Sequence, residues 1–471
     1  MHQFNRLSFA ITLVLLLALP KLALAADQAK TESLANVQAS QSKPQSLVDI
    51  YQLALSHDPT LASALSANQA AQEIIEQGKA LYRPTVNFSA SASASQTDIK
   101  YLGSGFNQFR NEGRQNFEGY SYGVDARQPI FRKQNLVQMD QSKTQVSQAD
   151  KQLHLSQQVL ILRTTQVYFD VLIAQDRIDL ITAQKTAILS QLEQAKATFE
   201  VGTATITDVN EAQARYDLIV AQEIAAVNEH QIAKRAIEAI TGGIPDKLAT
   251  AKADIQVKPL SQNMQDWQHV ALQNNLNIQI QQDALKLAEQ EVARNQAVHL
   301  PTLDAVASYT NNYANGGASG VGNDLTNATI GLQLQIPLYQ GGATSSRVRQ
   351  AVLNQQKAQD DVEITRRQTE LETQRAYLNL STTIAQVRAY EQALISSQSQ
   401  LDSTKLGYEV GVRTSVDVLN AQQQFFSAKR DLLQARYNYL VNIIRLKAAS
   451  GIVAEADLSD INQQLLLNNA N

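Results

Sequence analysis

Histidine is the side chain best placed to bind a metal or move a proton near neutral pH, and the spacing of this chain's histidines supports neither role. His57, His154, His230, His269 and His299 stand singly along helical stretches, without the short spacings that bring several ligands onto one ion. Cysteine is absent, which removes thiolate ligands, thiol nucleophiles and disulfides. Gly341-Gly342 is not followed by the Lys-Ser/Thr of a phosphate loop, and there is no nucleophile elbow. The residues point to no enzyme and to no cofactor. What recurs instead is a set of short signatures. Val201-Gly202 returns as Val410-Gly411, Asp208-Val209 as Asp417-Val418, and Thr241-Gly242 as Ser450-Gly451, all at an offset of about 209 residues.

The elements around these signatures are long. About 72 residues separate Pro129 from Gly202 without a Gly or Pro, and about 64 separate Gly342 from Gly407. A helix of about 70 residues is roughly 105 Å long, so a duplicated unit of this kind predicts an elongated or tubular object. Leu160, Thr164, Val167, Val171, Ala174, Ile178, Ile181, Lys185, Ile188, Leu192, Ala195 and Phe199 follow a 4-3-4-3 spacing, the seam of a coiled coil. The second copy carries Ala376, Leu380, Val387, Tyr390, Leu394, Leu401 and Tyr408, with more small and hydroxyl residues between them. After each Val-Gly turn a return helix of about 39 residues is predicted. Before each long helix an opening helix is predicted, from Asp58-Pro59 to about Tyr82 and from Ala271 to His299. The two openings align at an offset of about 217. Segments 243–267 and 452–471 fall where the short helices meet and are placed in a belt at mid-height.

Between opening and long helices the pattern changes to period two. Val86, Phe88, Ala90, Ala92 and Ala94 alternate with polar residues, as do Tyr120, Tyr122, Val124 and Ala126. Leu303, Ala305, Ala307 and Tyr309 repeat the pattern, followed by Ala328, Ile330, Leu332, Leu334, Ile336 and Leu338. These predict four strands of about ten residues, with loops over 103–119 and 311–327. Phe88, Tyr120, Tyr122, Phe131, Tyr309 and Tyr339 are candidates for an aromatic girdle at a membrane surface. A soluble hairpin on a sandwich is the competing reading of the strands. Four strands cannot close a barrel and lipid tolerates no open edge, so embedded strands require several chains to share one barrel.

Arg6, the apolar run Leu7 to Leu19 and Ala23-Leu24-Ala25 form an export signal, with cleavage expected after Ala25. An N-terminal anchor competes with it, but the run is too short to span a bilayer and Pro20 interrupts it. The domain reading is a signal peptide at 1–25, a flexible leader at 26–46, and a first repeat at 47–242 with its strand hairpin at 84–131. A connector at 243–267 follows, then a second repeat at 268–451 with its hairpin at 301–339, and a terminal segment at 452–471. The net charge of −4, without a Lys/Arg cluster, argues against a nucleic-acid partner.

Several segments together resemble the TolC family of outer-membrane efflux and secretion channels. They are Val201-Gly202 through Ile206-Thr207-Asp208-Val209, His299-Leu300-Pro301-Thr302-Leu303-Asp304, Ile336-Pro337-Leu338-Tyr339-Gln340-Gly341-Gly342, Val416-Asp417-Val418-Leu419 and Ala435-Arg436-Tyr437-Asn438-Tyr439-Leu440. The resemblance covers about residues 47–460. It implies an α+β membrane protein and a homotrimer whose copies share a 12-stranded outer-membrane β-barrel, four strands each. It continues that barrel into an internally duplicated α-helical coiled-coil barrel reaching into the periplasm. It implies a passive exit duct of tripartite efflux pumps or type I secretion systems. The implied partners are a periplasmic adaptor (membrane fusion protein), an inner-membrane RND, ABC or MFS transporter, and outer-membrane lipid. It also assigns residues: Asp417 at the pore entrance, with Asn420 where the family has a second aspartate, and Asp208, Tyr408 and Arg413 as gate links. Lys405 stands where an acidic partner of Gln191 is expected. Val201, Gly202, Val410 and Gly411 become the adaptor-docking turns. A soluble periplasmic coiled-coil adaptor or scaffold is the alternative; it explains the helices but not the strands.

Overall fold

In the computed structural model the described residues are 44–100, 113–252, 255–316 and 321–466. The expected signal peptide and most of the expected leader lie outside them. The first repeat runs α1 (Leu47–His57), α2 (Pro59–Ala80), β1 (Thr85–Ile99), β2 (Gly113–Phe131), α3 (Lys133–Glu200) and α4 (Ile206–Thr241). After β3 (Thr250–Ala251) the second runs α5 (Met264–Asn274), α6 (Leu276–Gln296), β4 (Thr302–Ala314), β5 (Asn323–Gln335), α7 (Ala343–Glu409) and α8 (Ser415–Ala449). The chain closes with α9 (Glu455–Asn462) and β6 (Leu465–Leu466).

The long helices are 68 and 67 residues, roughly 100 Å each. Of the twelve seam positions in α3, Leu160, Thr164, Val171, Ala174, Ile181, Ile188, Leu192 and Ala195 are buried, and Phe199 at the turn is exposed. The α4 partners Ala212, Ile219 and Ala226 close over the lower seam. In α7 only Leu380, Val387 and Leu401 of the seven named positions are buried, so the second seam is more loosely covered within one chain.

Each opening helix is broken at its N-cap. Asp58 accepts from the Thr60 N–H and is held by Arg163; Asn275 accepts from the Asn277 N–H and donates to the Ala449 carbonyl at 3.0 Å. The second opening therefore does not run unbroken from Ala271 to His299. Without a proline after it, Asn275 gave no stop signal. Gly242 and Gly451 end the return helices at φ +74°, and each packs on a break: Gly242 against His57, Gly451 against Asn274. A Cβ at Gly451 would stand 2.6 Å from the Asn274 carbonyl oxygen, so backbone approaches backbone there.

A belt crosses the long helices near their middle. Tyr168 and Phe169 of α3 and Leu380 and Val387 of α7 pack with Leu47 and Ile50 of α1, Ile255, and Leu458 and Ile461 of α9. β3 pairs with β6, and the Tyr168 hydroxyl donates to the Ala249 carbonyl at 2.7 Å. Pro44 to Ser46 belong to this belt and not to a flexible leader. Gln45 bridges Leu248, and Ser46 closes a capping box with Asp49 on α1.

The four long strands form one antiparallel sheet in the order β1-β2-β4-β5. The register collects the apolar positions on one face: Val86–Ala126–Ala307–Ile330 form one row and Phe88–Val124–Tyr309–Ala328 the next. Asn87–Asp125–Ser308–Thr329 line the other face, where Asn87 donates to Asp125 and Ser91 bonds Ser121. The strands exceed ten residues. Segments 113–119, 311–314 and 323–327, expected as loops, continue the ladders. Pairing is made by backbone groups, so it outlasts the side-chain alternation where Gly, Ser and Asn take over. At the other end Ile336 and Leu338 lie beyond β5, because Pro337 has no N–H for the ladder. Of the girdle candidates, Phe88 is 70% and Tyr339 86% exposed, so the apolar face has no partner among the described residues.

Sheet and helices meet at a charged junction. Asp304, 1% exposed, accepts from Arg127 at 2.5 and 3.0 Å and from Arg132 at 2.6 and 2.8 Å. The Tyr82 hydroxyl bonds the Arg132 carbonyl at 2.9 Å, tying the end of the opening helix to the start of α3.

Candidate functional site

The far end of the helical region is built twice from one local recipe. α3 ends at Val201 and turns through Gly202 at φ +78°; α7 ends at Val410 and turns through Gly411 at φ +80°. The Gly202 N–H bonds the Phe199 carbonyl and the Gly411 N–H bonds the Tyr408 carbonyl, closing the helix ends. Val201, Val410 and Val412 project outward, each about two-thirds exposed or more. Gly411→Ala forces a left-handed φ on a residue with a Cβ and is expected to destabilise by about 1 kcal/mol. Thermal unfolding against Gly243→Ala, where a Cβ meets nothing within 4 Å and no positive φ applies, measures it.

The return helices start with matching caps. Thr205 bonds the Asp208 N–H while the Asp208 carboxylate accepts from the Thr205 N–H at 3.0 Å and hydroxyl at 2.8 Å. Thr414 and Asp417 do the same at 2.9 and 2.9 Å. The Thr414 backbone N–H, then its hydroxyl, then Arg413 hold the Asp417 carboxyl below the usual carboxylate range. Asp417 is thus an oriented, ionised group facing solvent at the start of α8.

Asp208, Tyr408 and Arg413 are not brought together. Among the described residues no hydrogen bond or ion pair joins any two of them. Asp208 is spent on its cap, Tyr408 is half-buried on the α7 seam, and Arg413 is exposed with its stem against Gly407. The contacts that do bridge the two helix pairs are others. Gln191 of α3 donates to the Ser415 hydroxyl at 3.1 Å in a buried bond. Arg215 of α4, paired with Glu211 at 3.1 Å, donates to the Asn420 amide oxygen at 2.9 Å and to Gln423 on α8. Leu419, 2% exposed, enters the α3–α4 hydrophobic cluster beside this clasp. Asn420 therefore serves as an acceptor for Arg215, a use open to a neutral side chain. The Thr-x-x-Asp caps were readable as capping boxes. Arg215 left no signal, since its partners lie about 205 residues away and depend on helix register.

Among the described residues no group of three or more His, Asp or Glu side chains could hold a metal ion, and no helix is long and apolar enough to cross a membrane. The outer face of the sheet is the only extensive apolar surface the strand register builds in the described residues. A family model described as outer membrane efflux protein matches residues 50–243 and again 267–452, the two repeats. The chain belongs to the outer membrane efflux protein family and is an outer-membrane exit duct of the TolC type. It is 32% identical to outer membrane protein TolC of Vibrio cholerae serotype O1 over 89% of this chain and 94% of that protein. It is 31% identical to the alkaline protease secretion protein AprF of Pseudomonas aeruginosa over 88% of this chain and 85% of that protein. Its fold matches the CmeC outer membrane channel of Campylobacter jejuni with a TM-score of 0.73, at 17% identity, over 96% of this chain and 98% of that one.

Proposed function

We propose that three copies of this chain close one 12-stranded barrel in outer-membrane lipid and continue as a helical tunnel into the periplasm. The observation that carries this reading is the sheet: one continuous apolar face, one polar face and two unpaired edges, set on helices roughly 100 Å long. β1 and β5 run antiparallel, so β5 of one copy can continue onto β1 of the next in the same pattern. The duct conducts passively, serving drug efflux or type I secretion according to the inner-membrane RND, ABC or MFS transporter it meets. The Val201-Gly202 and Val410-Gly411 turns, exposed and duplicated, are the docking tips for a periplasmic adaptor. Asp417 from each copy sets a ring of carboxylates at the entrance, which favours cations.

The Arg215 clasp supports a resting state in which α8 is held against α4. Each clasp contributes about 0.5–1 kcal/mol, and three acting together would bias a near-balanced opening. Arg215→Gln is expected to raise single-channel conductance in planar bilayers; unchanged conductance would remove the clasp from the gate. For the duct itself, an unheated trimer from an outer-membrane fraction is expected on gel electrophoresis. A soluble periplasmic monomer would favour the adaptor or scaffold reading.

A further inference from the structure

Below the belt, a groove runs along α3 between α4 and α8. Its upper part is a cavity of about 610 Å³, the size of a small-molecule site. Ile173, Ala174, Leu180, Ile232, Ala233 and Leu433 give it apolar walls. A second cavity of about 160 Å³ continues it toward the turns, and the two share Arg177, Leu180 and Arg430. No carboxylate lines the smaller cavity, whereas Arg177, Arg215 and Arg430 do.

The two guanidinium groups at the waist keep unused donors. Arg177 spends one nitrogen on Glu229, and Arg430 spends two on Asp431 and Ser427. Of the three acids on the larger cavity, Glu229 accepts from Arg177, Tyr437 donates to Asp176 and Gln166 donates to Asp170, and burial pushes the two aspartate carboxyls up. Planar guanidinium forks with free N–H groups beside an apolar wall match a carboxylate or sulfonate carried on a hydrophobic body.

We propose that this groove binds an amphipathic organic anion, its apolar body in the larger cavity and its anionic group between Arg177 and Arg430. Nothing in the duct reading requires such a site, and the site can fail while the duct stands.

The test uses the full chain in detergent-free peptidiscs, with a fluoronaphthalene sulfonate as probe and 19F NMR as readout. Saturable binding of one probe per chain is expected. Arg177→Gln and Arg430→Gln should each weaken it about tenfold, as should replacing the sulfonate by a neutral sulfonamide. Ala236→Trp, which fills the apolar half from an exposed position, should abolish binding while the circular dichroism and unfolding midpoint stay as in the parent. Equal binding of the sulfonamide, tighter binding of a trimethylammonium analogue, or no saturable site would overturn the proposal. The last result includes the case in which a neighbouring copy fills the groove.

Discussion

Asp417→Asn is expected to reduce cation over anion permeability roughly fivefold in planar bilayers and to weaken block by multivalent cations. The substitution removes the charge and keeps an acceptor for the Thr414 N–H, so the start of α8 stays capped. Asp417→Ala removes both and adds fraying of the return helix to the same loss of selectivity. Because the cap lowers the Asp417 pKa, the carboxylate is ionised at neutral pH and protonates only below the ordinary value of about 3.9. Selectivity should therefore hold from pH 8 to pH 5 and fall only below about pH 4. The stability linked to this carboxylate follows the same sign, present above the unfolded pKa and lost as pH falls through the folded one. Permeability ratios that do not differ between parent and Asp417→Asn would move the entrance elsewhere. Asn420→Asp tests the neighbouring position: it adds a carboxylate beside Arg215 and should raise selectivity while tightening the clasp.

Asp304→Asn is expected to cost about 2–3 kcal/mol, the largest single loss of stability among these substitutions. The carboxylate is buried and accepts four bonds from two guanidinium groups; an amide offers one acceptor and leaves both cations short of charge. The arginines are 45% and 30% exposed on their side chains, so water recovers part of the loss and the upper end of the buried-pair range is not reached. Asp140→Asn breaks an exposed pair with Lys143 and should cost under about 0.5 kcal/mol. Thermal unfolding of the two variants side by side measures the difference. Equal midpoints would mean that the sheet–helix junction is not held by this network.

Much of this architecture was legible because it rests on long, repeated patterns. The absence of Gly and Pro fixed the two long helices within a few residues, and the 4-3-4-3 spacing named an α3 seam of which eight positions are buried, Val167, Ile178 and Lys185 are half-buried and Phe199 is exposed. Strand existence and facing followed from alternation, while strand length did not, because Gly, Ser and Asn pair through their backbone without an alternating side-chain record. Ser46, which opens the readable cap Ser46-Leu47-Val48-Asp49, was assigned to the leader, and Asn275 broke a helix that lacked any proline to mark the break. The region of the two Val-Gly turns was the least legible part. Val201-Gly202, Val410-Gly411 and Asp417 stand in the turns and caps their types require. Among the described residues of one chain no bond joins Asp208, Tyr408 and Arg413, and the side chains that bridge α4 and α8 there are Arg215 with Asn420 and Gln423. Local caps are written in neighbouring residues; a bridge between α4 and α8 depends on the register of two helix pairs, which no short stretch specifies.

Sharing of one barrel between copies is tested most directly by disulfide trapping at the sheet edges, and a chain without cysteine gives no background. Ser91→Cys on β1 would be combined in turn with Asn327→Cys, Thr329→Cys or Gly331→Cys on β5, all on the polar face. Within one chain β2 and β4 separate these edges by roughly 14 Å, beyond the reach of about 7 Å for a disulfide, so only neighbouring copies can bond. Oxidation of the outer-membrane fraction should yield covalent trimers for at least one pairing and none for either single variant. Monomers alone in every pairing, recovered from soluble periplasmic extract, would contradict the shared barrel.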